Sequence, residues 1–396
     1  MNGHGIVIIG GGLAGQRCAE TLRRRGYEGP VRIACAESES PYDRPPLSKA
    51  VLAGTAEEDS VAFRAVDWYE ENGVELLPGA RAEGLEPGAR LVFLAGGEPL
   101  AYEKLLIASG GSARRLPFLE GFENVHYLRT LADARRLRTD LVRGARLAIV
   151  GAGFIGQEVA ATALGLGAEV TIVEAMEVPL APILGVELGR WFADLHLGEG
   201  VRLVTGAMLE GARGSGRVEE LLLADGTRIE CDVVVVGIGT VPATEWLRSS
   251  GLGERGVEVD PHGRTALPDV FAAGDASVPF DPRFGVNART EHWDAAAWQG
   301  AAAAKAMLGE EPGRPPLPSF WSDQYGVRIQ SVGHPHLADA VEFEGDPQGR
   351  DFEAVLLREG VPVAGLAVGR PRAIPALRKR IEAGHQAASE QKEVPV

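Results

Sequence analysis

Short apolar runs rich in β-branched residues recur along the chain, each closed by glycines and followed by an alanine-rich stretch with helical spacing. The first run, 5–9, leads to a predicted helix over 13–25 and a second strand at 31–36. The same order returns as a strand at 146–150, a helix at 154–166 and a strand at 169–173. Alternation of this kind predicts a doubly wound parallel sheet. Two further buried runs, 104–110 and 231–239, also end in glycine turns, so the two units are predicted to be full structural repeats. Residues 218–223, followed by Ala224, Asp225, Gly226 and Thr227, predict a hairpin. Later come a short strand ending at Gly274 and Asp275 and a helix near 295–308. Prolines at 312–318 mark a linker, and 320–384 reads as short strands and a basic helix. The polar tail at 385–396 is expected to fray.

Length and composition divide this pattern into domains. A chain of 396 residues with 45% hydrophobic content predicts two or three of them. No apolar run reaches the ~18 residues of a membrane helix. A net charge of −15 argues against a nucleic-acid partner. The chain runs straight into a strand the fold needs, so no secretory leader is expected. Cys18, Cys35 and Cys231 lie far apart, without C-x-x-C or metal-ligand spacing. They are expected to pack as thiols in a reducing cytoplasm, and no metal site is expected.

The chemistry concentrates where each unit's first strand meets its helix. Gly10, Gly12 and Gly15 form one G-x-G-x-x-G, and Gly151, Gly153 and Gly156 form a second. One such match is weak, but each copy follows an apolar strand and opens a helix. Each also has a carboxylate after the next strand, Glu37 and Glu174. That is the dinucleotide-binding context, twice over. The first glycine of each set permits the tight turn, the second admits a pyrophosphate, and the third lets helix and sheet approach. The helix N-terminus then turns its unpaired N–H groups toward phosphate. A carboxylate on the adenosine ribose repels a 2′-phosphate, which favours NAD over NADP at the second site.

The set of motifs resembles one family over almost the whole length. Besides the glycines it comprises Arg44, Pro45, Pro46, Leu47, Ser48 and Lys49, then Leu128, Arg129 and Thr130. Glu158 and Glu174 follow, with Ala273, Gly274 and Asp275, then Glu291, His292 and Trp293, and last a run from Phe320 to Tyr325. Their order is similar to that of FAD-dependent NADH:ferredoxin reductases of the putidaredoxin reductase and biphenyl dioxygenase reductase type, within the pyridine nucleotide-disulphide oxidoreductase superfamily. The resemblance implies an α/β fold of glutathione-reductase-like architecture, with two Rossmann-like dinucleotide-binding domains and a C-terminal α+β domain. FAD would lie in the first domain, 1–112 with 242–314, NADH in the second, 113–241, and the C-terminal domain would span 315–396.

By the same resemblance, Gly10, Gly12, Leu13, Ala14, Gly15, Glu37, Arg44, Pro45, Lys49, Ala82, Arg129, Asp275 and Trp293 would hold FAD. Arg44 would meet the pyrophosphate, and Asp275 the ribityl chain. Gly151, Gly153, Phe154, Ile155, Gly156, Glu174, Gly237, Ile238 and Gly239 would hold NADH. Lys49 and Glu158 would form an ion pair at the face where hydride is transferred, the two catalytic residues of the site. Family members often carry an arginine shortly after the ribose glutamate; here Ala175, Met176 and Glu177 follow instead. A second carboxylate without a nearby base still disfavours NADPH.

The implied activity passes single electrons from flavin to a [2Fe–2S] ferredoxin that supplies a cytochrome P450 or ring-hydroxylating dioxygenase, by a monomer or homodimer. Such a partner is usually acidic, and the arginine runs 114–115, 135–136, 370–372 and 378–380 are candidate docking patches. Three other readings stay open. A flavin disulfide or peroxide reductase would need a redox cysteine near 46–49, where the chain has none. A related flavin reductase would use rubredoxin, monodehydroascorbate or oxygen as acceptor. A flavoprotein resembling apoptosis-inducing factor would act mainly by binding.

Overall fold

The computed structural model describes residues 4–253 and 255–392. Its contacts divide the chain into two compact units, the first comprising 1–43, 59–112 and 240–318, the second 44–58, 113–239 and 319–396.

In the first unit a five-stranded parallel sheet runs in the order Val270–Ala272, Lys104–Ile107, Ile6–Ile9, Val31–Ala34, Val74–Leu77. Ile6, Val7, Ile8 and Ile9 are all buried, as a strand covered on both faces requires. The helix Leu13–Arg24 returns from it with Cys18, Ala19 and Leu22 buried against the sheet. A second helix, Trp293–Met307, crosses the first at backbone contact. A Cβ on Gly300 would lie 2.1 Å from the Ala14 carbonyl oxygen, so only glycine permits this crossing. That crossing fixes where Trp293, at the helix start, is placed.

The second unit repeats the plan: Arg202–Val204, Glu169–Val173, Arg146–Val150, Val233–Val236, Val125–His126, all parallel. In both sheets the first strand of the unit lies between the strand after its helix and a much later one. The carboxyl end of that first strand is therefore a topological switch point, where open α/β sheets take ligands. The repeat extends to a three-stranded antiparallel meander in each unit, 82–101 in the first and 209–230 in the second. Each meander has a register shift at a glycine, Gly84 or Gly211. The hairpin expected after residue 218 is the second of these, turning through Ala224, Asp225, Gly226 and Thr227.

The C-terminal region is a five-stranded antiparallel sheet in the order Ser319–Gln324, Val327–Gly333, Val361–Val368, Asp351–Arg358, Ala340–Asp346. Helix Ile374–Lys392 packs on it through Leu377 and Ile381. Helix Ile374–Lys392 reaches into the tail expected to fray at 385–396, where alanine, glutamine, glutamate and lysine are good helix formers; residues 393–396 lie outside the described ones.

The segment 44–58 does not group with the first dinucleotide unit, and 319–396 does not stand alone. Both pack on the second unit. Thr162 donates to the Ser48 carbonyl at 2.7 Å, and Arg135 holds Glu58 at 2.5 Å. Phe192, Phe352 and Leu366 share one core, and the Phe154 ring lies 4.7 Å from that of Phe320. Among the described residues no helix is long and apolar enough to cross a membrane.

Candidate functional site

Both glycine fingerprints adopt the same geometry at the switch points. Gly10 has φ +116° and Gly151 φ +99°, a region closed to most side chains. A Cβ on Gly10 would lie 2.1 Å from Ala108 O, and one on Gly151 2.5 Å from Gly237 O. The third glycines match as well: a Cβ on Gly15 would meet Gly10 O at 2.1 Å, and one on Gly156 would meet Gly151 O at 2.4 Å. Gly12 and Gly153 are the N-caps, extended and without a side-chain cap, so the first-turn N–H groups stay unclaimed by side chains. Around Gly12 a Cβ would meet nothing within 4 Å, the open cradle that a pyrophosphate needs. The chain's residues therefore fit a dinucleotide at each fingerprint.

In the first unit, Leu13, Ala14 and Gly15 open the helix, and Ala82 sits at the bulge of the meander. Glu37, just past the second strand, accepts a hydrogen bond from the Tyr42 hydroxyl. Asp275 lies in the turn after Val270–Ala272, where Gly274 N–H donates to Gln299 Oε1 at 2.7 Å. Trp293 donates its indole N–H to Asp43 at 2.8 Å, which orients the ring.

In the second unit, Phe154 and Gly156 lie in the first turn after Gly153, and Ile155 beside them is an apolar side chain 47% exposed. Glu174 is held by two backbone amides, Ala152 N–H at 2.6 Å and Met176 N–H at 2.8 Å. Its carboxylate thereby ties the end of the second strand to the phosphate loop. Gly237, Ile238 and Gly239 follow the buried valines 233–236. Arg44, Pro45, Lys49 and Arg129, expected beside FAD, also group with this unit. Arg44 donates to the Arg129 carbonyl at 2.5 Å.

Lys49 and Glu158 come together here. Lys49 Nζ lies 2.5 Å from Glu158 Oε2, and the Glu158 side chain is 4% exposed. The loop shape explains the reach: Pro45 and Pro46 open a short 3₁₀ turn ending at Ser48, and Lys49 Nζ also donates to Pro45 O at 3.2 Å. Ser48 donates to the same carboxylate oxygen at 2.5 Å. Ser322 donates to the other at 2.7 Å. A carboxylate this buried is stable as an anion only when paired and hydrogen-bonded, and it is both.

Within the 320–325 motif sequence reasoning gave no role to Ser322 and Gln324, which are buried polar residues two apart on a strand. Polar side chains on a strand's inward face demand partners, and that alternation was the available signal. It also passed over His196, buried on the helix Val186–Gly198. Nothing in the local sequence marks it. Some arginines of these runs are matched locally: Arg135 by Glu58, Arg136 by Asp133, Arg370 by Asp351 and Glu353, Arg380 by Glu342. Cys18, Cys35 and Cys231 are buried free thiols, and burial pushes the Cys35 thiol up to about 11.

The chain thus holds two repeated dinucleotide cradles, with a buried ion pair on the helix of the second. Residues 4–300 match the pyridine nucleotide-disulphide oxidoreductase family and 319–393 match a reductase C-terminal domain; the chain belongs to that family. FAD and NAD(H) are accordingly its cofactors. It is 40% identical to the ferredoxin reductase subunit of a 5,5′-dehydrodivanillate O-demethylase of Sphingobium sp., over 92% of this chain and 90% of that protein. It is 38% identical to the ferredoxin–NAD(+) reductase component of an anthranilate 1,2-dioxygenase system of Burkholderia cepacia, over 97% and 95%. Among solved structures it resembles a chain of the covalent putidaredoxin reductase–putidaredoxin complex, with a TM-score of 0.92, 33% identity and coverage of 95% and 92%.

Proposed function

We infer that this protein is an FAD-dependent NADH:ferredoxin oxidoreductase. FAD, when bound, accepts hydride from NADH and returns the electrons singly to a one-electron carrier. The protein needs no redox-active disulfide for this, and Ser48 and Lys49 occupy the segment where a disulfide reductase would carry its cysteine. The observation that carries the reading is the Lys49–Glu158 pair, built onto the first turn of the second fingerprint helix.

The division of labour follows from the two units. The first unit, with Gly10, Gly12, Glu37, Ala82, Asp275 and Trp293, is the part that retains FAD. In the second, Gly151, Gly153 and the helix N-terminus receive the NADH pyrophosphate, and Glu174 binds its adenosine ribose. Ile155 gives the nicotinamide half an apolar surface that excludes water. Lys49 and Glu158 fix one another at the hydride-transfer face, so neither needs to reorganise during transfer.

The acceptor is a [2Fe–2S] ferredoxin serving a cytochrome P450 or a ring-hydroxylating dioxygenase. Anaerobic titration of the purified yellow protein with NADH and with NADPH, followed by mixing with [2Fe–2S] ferredoxins and rubredoxin, tests donor and acceptor together. Bleaching by NADH with efficient ferredoxin reduction is the expected result. Efficient transfer to rubredoxin alone, or a long-lived reduced complex that turns over with neither, would overturn it.

A further inference from the structure

The Glu158 carboxylate ends a line of hydrogen bonds that runs one way through the interior of the second unit. Ser322 Oγ lies 2.7 Å from Glu158 Oε1, and Gln324 Nε2 lies 3.0 Å from Ser322 Oγ. Gln324 Oε1 lies 3.1 Å from His196 Nε2, and His196 Nδ1 lies 2.7 Å from the Tyr325 hydroxyl. A carboxylate only accepts, so Ser322 donates to it and must itself accept from the Gln324 amide. That sets the amide with its oxygen toward His196, which then carries its proton on Nε2 and accepts from Tyr325 at Nδ1. Every proton in the line points toward Glu158. A side branch anchors it, since Gln324 Nε2 also reaches Gln157 Oε1 at 3.4 Å while Gln157 donates to the Ala152 carbonyl at 2.9 Å.

Two observations set this line apart from ordinary core hydrogen bonding. Glu158, Ser322, Gln324 and His196 are each at most 3% exposed, so four polar side chains are buried where apolar ones would pack at less cost. Tyr325 stands at φ +52° in the two-residue turn between Ser319–Gln324 and Val327–Gly333. A bulky residue there is strained. Its hydroxyl bond to His196, and an edge contact of the two rings at 5.2 Å, hold it in that conformation.

We propose that Ser322, Gln324, His196 and Tyr325 are positioning residues for the Lys49–Glu158 pair, a polarised line that keeps the Glu158 carboxylate turned toward Lys49. The proposal rests on the role given to that pair above. The charged groups around the line are Lys49 at its near end and, at its far end, Glu199 with Arg350, paired at 2.6 Å beside His196 and Tyr325. Burial holds the imidazole neutral down to about pH 4, so the line keeps its direction throughout the neutral range.

The test follows flavin reduction by NADH in stopped flow in the holoenzyme, alongside NAD⁺ binding and isotope-edited infrared of the glutamate carboxylate. Ser322→Ala and His196→Phe are expected to slow reduction ~5- to 50-fold with the NAD⁺ dissociation constant within about twofold, the split expected when orientation rather than binding is lost. The carboxylate stretching band of Glu158, identified by its loss in Glu158→Gln, should shift in Ser322→Ala as the group loses a donor. Tyr325→Phe should slow reduction and shift the band less, and Ser322→Thr should restore both. Folded Ser322→Ala and Tyr325→Phe proteins with a wild-type reduction rate and an unmoved band would overturn the proposal, whether or not His196→Phe folds. If Glu158→Gln itself reduces flavin at the wild-type rate, the role of the pair fails, while the infrared band still judges the line.

Discussion

A Cβ on Gly151 would stand 2.5 Å from the carbonyl oxygen of Gly237, a contact no side chain tolerates. Gly10 faces Ala108 in the same way at 2.1 Å. Since the two turns belong to different units, equal substitutions should have unequal effects. Gly10→Ala is expected to yield a protein that does not retain FAD and is purified colourless. Gly151→Ala should stay yellow yet lose NADH binding. Absorbance at the flavin maximum and NADH titration read the two outcomes, and a Gly151→Ala protein that is colourless while Gly10→Ala keeps its flavin would reverse the assignment of cofactors to units.

The Lys49–Glu158 contact makes a second expectation. Lys49→Met leaves Glu158 with only its two serine donors, an incompletely compensated buried charge. Removing one partner of a buried pair costs about 3–5 kcal/mol, and the lower end applies because Lys49 retains some solvent access. Glu158→Gln keeps the volume and removes the charge, so it should be milder in stability. Both should slow flavin reduction by NADH, by ~10-fold or more if the pair supplies over 1.4 kcal/mol at the transition state. Wild-type stopped-flow rates in both variants would show that the pair is only structural.

How much of this was legible beforehand depended on the range over which each signal acts. The glycine turns, the parallel strands and the acidic residues at Glu37 and Glu174 were readable because local sequence dictates them: a positive φ needs glycine, and a strand buried on both faces needs an unbroken apolar run. The Lys49–Glu158 pair was reached only by resemblance, since the two residues are far apart in the chain. What escaped was long-range: the grouping of 44–58 with the second unit, and His196, whose partners lie on a strand more than a hundred residues away. The meander at 82–101 was missed too, because its short half-buried strands carry little periodicity.

His196 also gives the stability a pH dependence. Burial lowers its pKa from 6.5 to about 4, so between those values the unfolded chain binds a proton that the folded chain refuses. Stability is then full above pH 6.5 and declines as pH falls toward 4, by about 3 kcal/mol for a shift of that size. His126, lowered mainly by burial, acts in the same direction. Melting temperature measured from pH 7.5 to 5 should fall in the wild type and fall less in His196→Gln. Parallel curves would show that the imidazole takes up its proton as readily in the folded chain as in the unfolded one.

Glu174 bears on the choice between nicotinamide cofactors. Both carboxylate oxygens already accept a backbone amide, so the group is held in place before any ribose arrives. A fixed anion rewards a ribose that donates two hydroxyl protons and rejects one bearing a 2′-phosphate. Glu177, the next carboxylate along the loop, adds charge of the same sign. Glu174→Ala should therefore weaken NADH binding ~10- to 100-fold, the worth of hydrogen bonds to a charged group, and narrow the preference over NADPH. Because the substitution also frees the Ala152 amide, a modest fall in melting temperature is expected alongside. Steady-state KM values for NADH and NADPH decide the matter: a variant whose preference for NADH stays at the wild-type ratio would place the discrimination elsewhere.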